Sequence, residues 1–147
     1  MQSDDAAPKV VLDTNVVLDW LIFADPQVQP LVAEILSGRW RWIGTVDMQR
    51  ELHEVLGRPA FVRFGHRLSA ALEDAARHCV MLQPAAASTV AALRCADPDD
   101  QKFIDLAVER GAAHLFSRDK ALLRLARPAA PRGVQVLRPA QWHAAGE

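Results

Sequence analysis

Apolar positions along the chain fall into short unalternating runs separated by stretches with a helical stripe. Lys9-Val10-Val11-Leu12 has no polar alternation, the pattern of a strand buried on both faces of a parallel sheet, and it ends on the carboxylate of Asp13. Val16 to Phe23 predicts a helix, Asp25-Pro26 a break, and Gln27 to Leu36 a second helix stopped by Gly38. Trp40 to Val46 predicts a second strand. Asp47 then caps a helix with a core-facing stripe of Met48, Leu52, Val55 and Leu56, ending at Gly57-Arg58-Pro59. Arg58, Arg63 and Arg67 alternate with Phe61, Phe64 and His66 ahead of an amphipathic helix to about His78. Val80-Met81-Leu82 predicts a third strand, closed by Pro84, and Ala85 to Cys95 reads equally as helix or loop. Asp97-Pro98-Asp99-Asp100 opens a helix that buries Phe103, Ile104, Ala107 and Val108. Beyond Gly111 a fourth short strand runs to Ser117-Arg118-Asp119; a helix over Ala121–Ala126, a last strand over Val134–Leu137 and a terminal turn over Pro139–His143 follow. The alternation predicts an α/β fold, a three-layer α/β/α arrangement around a central parallel sheet of about four to five strands.

In such sheets ligands sit at the carboxyl ends of the strands, so Asp13 and Asp119 are on the functional rim by topology. Either could instead be a plain helix cap, and the two readings separate on whether other acids converge there. Helical phase sorts the candidates. Glu51 lies beside the buried stripe of its helix, whereas Glu54 is about 200° around from Leu52 at ~100° per residue. Asp100 heads the stripe of Phe103, Ile104 and Ala107, while Asp105 falls off it. Asp99 reads chiefly as a helix-start acid and stands as the alternative to Asp100. Lys102 leaves the Asp100 stripe and Arg50 lies off the Glu51 face, so no cation is expected in phase with the acids. A hard divalent ion bound by oxygen, Mg²⁺ or Mn²⁺, would relieve the repulsion among Asp13, Glu51, Asp100 and Asp119, and such ions favour phosphate substrates.

Composition adds exclusions. The 147 residues suffice for one domain, with residues 1–8 expected as a disordered tail and residues 9–143 as the folded unit. A hydrophobic fraction of 50% with 24% charged residues is that of a soluble protein, and no apolar run reaches the ~20 residues of a membrane span. The acidic start is unlike a signal peptide, so a cytoplasmic location is expected. Cys79 and Cys95 lack zinc-ligand spacing and read as buried free thiols. A net charge of −1 confines any nucleic-acid contact to a local patch. No Ser-His-Asp or Cys-His set and no Gly-rich phosphate loop is present.

Four blocks in order, Val10 to Val17, Thr45 to Phe61, Asp97 to Phe103 and Ser117 to Leu123, together resemble a PIN domain, above all the bacterial group of toxin components of toxin–antitoxin systems. The likeness runs from about Lys9 to Trp142, with Arg138-Pro139-Ala140-Gln141-Trp142 similar to that group's common ending. It implies a hydrolase, a metal-dependent endoribonuclease whose acids are Asp13, Glu51, Asp100 and Asp119. Asp13, Asp100 and Asp119 would hold the metal, directly or through water, and Glu51 would orient the attacking water or a weaker second ion. Products with 5′-phosphate and 3′-hydroxyl ends are implied, as are a cognate antitoxin and a possible homodimer. Asn15 and Ser117 would orient carboxylates by hydrogen bonding, with a purely local turn as the other reading of each. RNA backbone contacts are expected from Arg58, Arg63, Arg67 and Lys120, with Arg118 either on the scissile phosphate or packed outward. Where relatives usually carry a further acid, this chain has Ala121, so one tight ion is expected. Two other readings remain: a catalytically silent PIN-fold binding module, and an aspartyl-phosphate phosphatase or receiver, which Asn15 disfavours because the phosphatase pattern needs Asp there.

Overall fold

The computed structural model describes residues 7–86 and 90–142. Its centre is β1 (Lys9–Leu12), which pairs in parallel with β2 (Arg41–Gly44) on one side and β4 (His114–Phe116) on the other. Further parallel pairings to β3 (Cys79–Met81) and β5 (Gln135–Leu137) give a five-stranded sheet of order β3-β2-β1-β4-β5. Chain order reverses direction across the sheet between β1 and β4, which opens a crevice at their carboxyl ends.

The missing alternation in β1 has the cause its sequence suggested. Val10 and Leu12 enter one core, with Trp42 and Phe116, and Val11 enters the other, with Ile43, Leu115 and Val136. The first core is covered by α1 (Thr14–Leu21), α2 (Gln29–Leu36), α3 (Val46–Leu56) and α4 (Arg67–His78). The second is covered by α5 (Gln101–Glu109), α6 (Lys120–Leu123) and α7 (Ala126–Ala129). These are the three layers. Each fully buried aliphatic or aromatic side chain contributes about 1.5–3 kcal/mol, so the two cores, anchored by residues such as Phe116 in the first and Phe103 in the second, hold the strand ends in place.

Several boundaries differ from the sequence expectation. The run from Trp40 is a strand only to Gly44, and α3 begins at Val46 with Thr45 in the N-cap position, so Asp47 lies in the first turn rather than at the cap. The second helix is preceded by a 3₁₀ turn over Pro26–Val28, capped by Asp25. β3 is shifted one residue toward the N-terminus. The helix expected over Ala121–Ala126 is split, because α6 ends at Leu123 and α7 starts at Ala126. Of the ambiguous Ala-rich stretch, Ala91–Leu93 forms a 3₁₀ turn, and residues 87–89 lie outside the described residues. The expected tail also lies outside them up to residue 6, but the Pro8 carbonyl accepts from Arg41 N at 2.9 Å and so already belongs to the ladder. His143 is likewise outside; Pro139–Gln141 form the expected turn and Trp142 packs on Trp40 at 4.7 Å between ring centroids. Among the described residues no helix is long and apolar enough to cross a membrane.

β2 and β3 approach closely where Gly44 faces Cys79. A Cβ on Gly44 would stand 2.8 Å from the Cys79 Sγ, whereas one on Gly57 would meet only ordinary contacts at 3.5 Å. Gly44→Ala is therefore expected to cost about 1–3 kcal/mol through overpacking, Gly57→Ala to be tolerated, and Cys79→Ala to recover stability in the Gly44→Ala background. Thermal melts of the four proteins check this, and additive effects at positions 44 and 79 would refute the contact.

Candidate metal centre

Asp13 leaves β1 straight into the N-cap of α1. Its Oδ1 accepts from Val16 N at 2.9 Å and its Oδ2 accepts from the Ser117 hydroxyl. Ser117, fully buried at the end of β4, accepts in turn from Asp119 N at 2.9 Å, and Asp119 caps α6 by accepting from Ala121 N at 2.7 Å. The cap reading and the rim reading of Asp13 and Asp119 thus hold together: each acid caps a helix because the chain must turn from strand to helix at the crevice. One hydroxyl joins the two strand ends.

A cleft of about 540 Å³ opens over this junction. Its wall carries eight carboxylates, those of Asp13, Asp47, Glu51, Glu54, Asp97, Asp99, Asp100 and Asp119, and three cations, Arg50, Arg58 and Lys102. Asp97, Asp100 and Asp119 each offer one oxygen, all within 4.8 Å of one another, which is within reach of a single ion. Such an all-oxygen, all-anionic set suits a hard divalent cation. Its electrostatics ask for one. Burial pushes the Asp100 carboxyl up to about 7, helped by its hydrogen bond to Asp119 and by the charges of Asp119, Asp97 and Asp13. Burial likewise pushes Asp13 up to about 6, against the bonds from Ser117, Val16 and Arg118 that favour its charged form.

The expected acids are therefore distributed as follows. Asp100 and Asp119 stand in the three-acid group, and Asp13 and Glu51 line the same cleft outside it. Both Asp13 oxygens are engaged, although a carboxylate oxygen keeps a further lone pair. Asp99 is exposed on the rim, outside the group. Asp97, not singled out from sequence, joins the group while its side chain also accepts from Asp99 N at 3.0 Å; its place directly before Pro98, as a cap, was the available signal. Asn15 is exposed on the cleft wall, and the neighbouring Thr14 is the residue that bonds across, from its Oγ1 to Glu51 Oε2 at 2.6 Å.

Three expectations are corrected. Lys102 does neutralise an acid of the set: its ammonium pairs with Glu51 Oε1, because a four-carbon stem reaches sideways off its own stripe. Asp105 is buried, not off the buried face; its Oδ1 accepts from Gln101 Nε2 at 3.0 Å, and Gln101 also binds the Leu93 carbonyl and Cys95 N. Cys79 is only half-buried, although burial still pushes its thiol up to about 12. Of the basic candidates, Arg118 packs against α1, where it pairs with buried Asp19 at 3.0 Å; Arg58 lines the cleft and pairs with Glu54 at 3.1 Å. Arg50 also lines the cleft, reaching Asp47 at 3.8 Å. Arg63 lies 4.8 Å from the Phe64 ring centre, Arg67 donates to the Ile22 carbonyl at 2.9 Å, and Lys120 is exposed.

A parallel sheet of this order with acids gathered at the β1/β4 crevice is the frame of a PIN domain. The sequence matches the PIN domain family over residues 9–121, and the chain belongs to that family. Among solved structures it is similar to a chain of VapBC2 from Rickettsia felis bound to a DNA fragment from their promoter, with 12% identity and a TM-score of 0.57 over 88% of this chain and 97% of that one. It is also similar to the PIN domain endonuclease Utp24, with 18% identity and a TM-score of 0.50 over 80% and 77% of the two chains. A domain of a functionally unknown protein from Methanocaldococcus jannaschii shares 21% identity at a TM-score of 0.51 over 96% and 95%. A search of curated proteins finds no match to the sequence.

The raised carboxyls fix the sign of a pH effect. Between the ordinary carboxylate value near 3.8 and the folded values of about 6 and about 7, the native state binds more protons than the unfolded chain. Their contribution is full at low pH and is lost as pH rises through that window. In EDTA, Asp100→Asn is therefore expected to melt above wild type at pH 8, with the gap closing toward pH 4. Mn²⁺ should raise the wild-type melt by mass action, ~2.7 kcal/mol at one hundred times its dissociation constant, and Asp100→Asn far less. Equal metal shifts in both proteins would show that these acids do not share an ion.

Proposed function

We propose that this PIN-family protein is a ribonuclease that hydrolyses phosphodiesters with Mg²⁺ or Mn²⁺, acting as the toxin of a toxin–antitoxin pair in the cytoplasm. The observation that carries the proposal is the meeting of Asp97, Asp100 and Asp119 at the carboxyl edge of the sheet, where burial pushes the Asp100 carboxyl up to about 7. These three residues would hold the ion, and Asp13 beneath them adds negative charge. A bound divalent ion would supply Lewis-acid activation of water and of the phosphodiester. Ser117 keeps Asp13 and Asp119 in register, and Thr14 keeps Glu51 turned into the cleft. Arg58 at the cleft, with Arg63, Arg67 and Lys120 beyond it, is suited to the RNA backbone by charge. Arg118, committed to Asp19, is better read as a brace on the β4–α6 turn than as a phosphate contact.

The likeness to VapBC2 supports a protein partner, here an antitoxin, with a homodimer as the further assembly the family resemblance suggests. The phosphatase reading loses support because Asp13 is 3% exposed with both oxygens engaged, a poor state for an in-line nucleophile. The silent binding module keeps one observation in its favour, the Lys102–Glu51 pair that cancels part of the acid charge. Cleavage decides between them. Purified protein should cut single-stranded RNA with Mn²⁺ or Mg²⁺ and stop on addition of EDTA. Asp100→Asn should lose roughly 100-fold or more in rate, as expected when a charge-stabilising group of the centre is removed, while Asp99→Asn stays near wild type. Metal-independent cleavage, or equal losses at positions 99 and 100, would refute the assignment.

A further inference from the structure

Glu51 belongs to the acid-lined cleft yet stands outside the three-acid group, and its partners explain why. Thr14 Oγ1 donates to its Oε2 at 2.6 Å, and the Lys102 ammonium donates to its Oε1. The same ammonium donates to the Asp99 carbonyl at 2.5 Å and lies 4.9 Å from the centre of the Phe103 ring. Two of its three donors are therefore fixed within the cleft wall. Both side chains are about a quarter exposed, at 26% and 27%, unlike the surface pairs of Arg58 and Arg77, whose arginine side chains are more than half exposed. A pair tethered at both ends by a hydroxyl and a carbonyl is a fixed part of the site and not a loose surface contact.

Hydrolysis of a phosphodiester between two cations uses the second to neutralise charge on the far side of the scissile phosphate. In this chain Glu51, the cleft acid read above as orienting water or holding a weaker second ion, already has a cation on it, and position 121, close by Asp119, is alanine. We infer that the Lys102 ammonium occupies the second-cation position on Glu51. The centre then takes one divalent ion, at Asp97, Asp100 and Asp119, and Lys102 supplies the other positive charge at the phosphate. This rests on the metal-centre reading above and goes beyond it by naming the residue that takes the place of a second ion. A lysine suits the place: it is a compact point charge with three donors, and unlike an ion it neither dissociates nor yields to a chelator.

The test counts ions instead of turnover. Mn²⁺ is titrated into the full chain and the free ion followed by electron paramagnetic resonance, for wild type, Lys102→Gln, Lys102→Arg and the Lys102→Gln/Glu51→Gln double variant. One bound ion is expected in wild type and in Lys102→Arg. Two are expected in Lys102→Gln, the second weaker than the first and lost again in the double variant. Two ions in wild type, or one in Lys102→Gln, would overturn the role of Lys102 and leave the metal centre standing. No bound ion in wild type would overturn the metal centre and this inference with it. The wild-type count needs no variant to fold, so a poorly folded Lys102→Gln leaves that arm decisive.

Discussion

The buried hydroxyl of Ser117 is the point on which the crevice depends. It donates to Asp13 at the end of β1 and accepts from Asp119 N after β4, while the Asp13 backbone N donates to the Phe116 carbonyl at 3.1 Å. Two strands that are neighbours in the sheet but a hundred residues apart in sequence are thereby locked at the depth where each turns into a helix. Removing the hydroxyl would leave a buried carboxylate short of a donor, and such groups are costly when unpaired. The acids meet because the turns are clipped together. Arg118 adds a second fastening from the same turn, to Asp19 on α1, a carboxyl that burial pushes up and the guanidinium draws back down.

Much of this was legible in the chain. Unalternating runs at Val10-Val11-Leu12 and Leu115-Phe116 announced a sheet buried on both sides, and the acids at their ends marked its rim. What resisted reading has a physical origin. Helical phase reports the direction of a Cα–Cβ bond, so it placed Glu51 and Asp100 toward the cleft. It says nothing of where a long flexible side chain ends, and so Lys102 escaped it. Asp105 was misread for the opposite reason, because a second layer of chain, Leu93 to Cys95, covers the α5 flank that would otherwise face water. The demand for glycine at position 44 is equally invisible locally, because the atom that a Cβ there would meet is the Sγ of Cys79, thirty-five positions away.

The division of acids within the cleft is also a division of roles by environment. Asp13 is deep and bonded on both oxygens, Asp97 and Asp119 each accept a backbone N–H at the start of a helical turn, and Glu51 is held by a hydroxyl and an ammonium. Burial, helped by the charges of Asp119, Asp97 and Asp13, pushes the Asp100 carboxyl up to about 7. Similar residue types thus meet different surroundings, and a cation that satisfies the group must relieve the burial of Asp100.

A cleft with eight carboxylates facing three cations has a consequence for any polyanion that enters it. The bare surface repels phosphate, and the repulsion falls only as positive charge accumulates in the wall. Two ligands of opposite sign that share one cavity are coupled, and the coupling is reciprocal by thermodynamic necessity: whatever factor a cation adds to polyanion affinity, the polyanion returns to the cation. Each partner therefore lowers the concentration of the other at which the cleft fills, a coupling written in Coulomb's law.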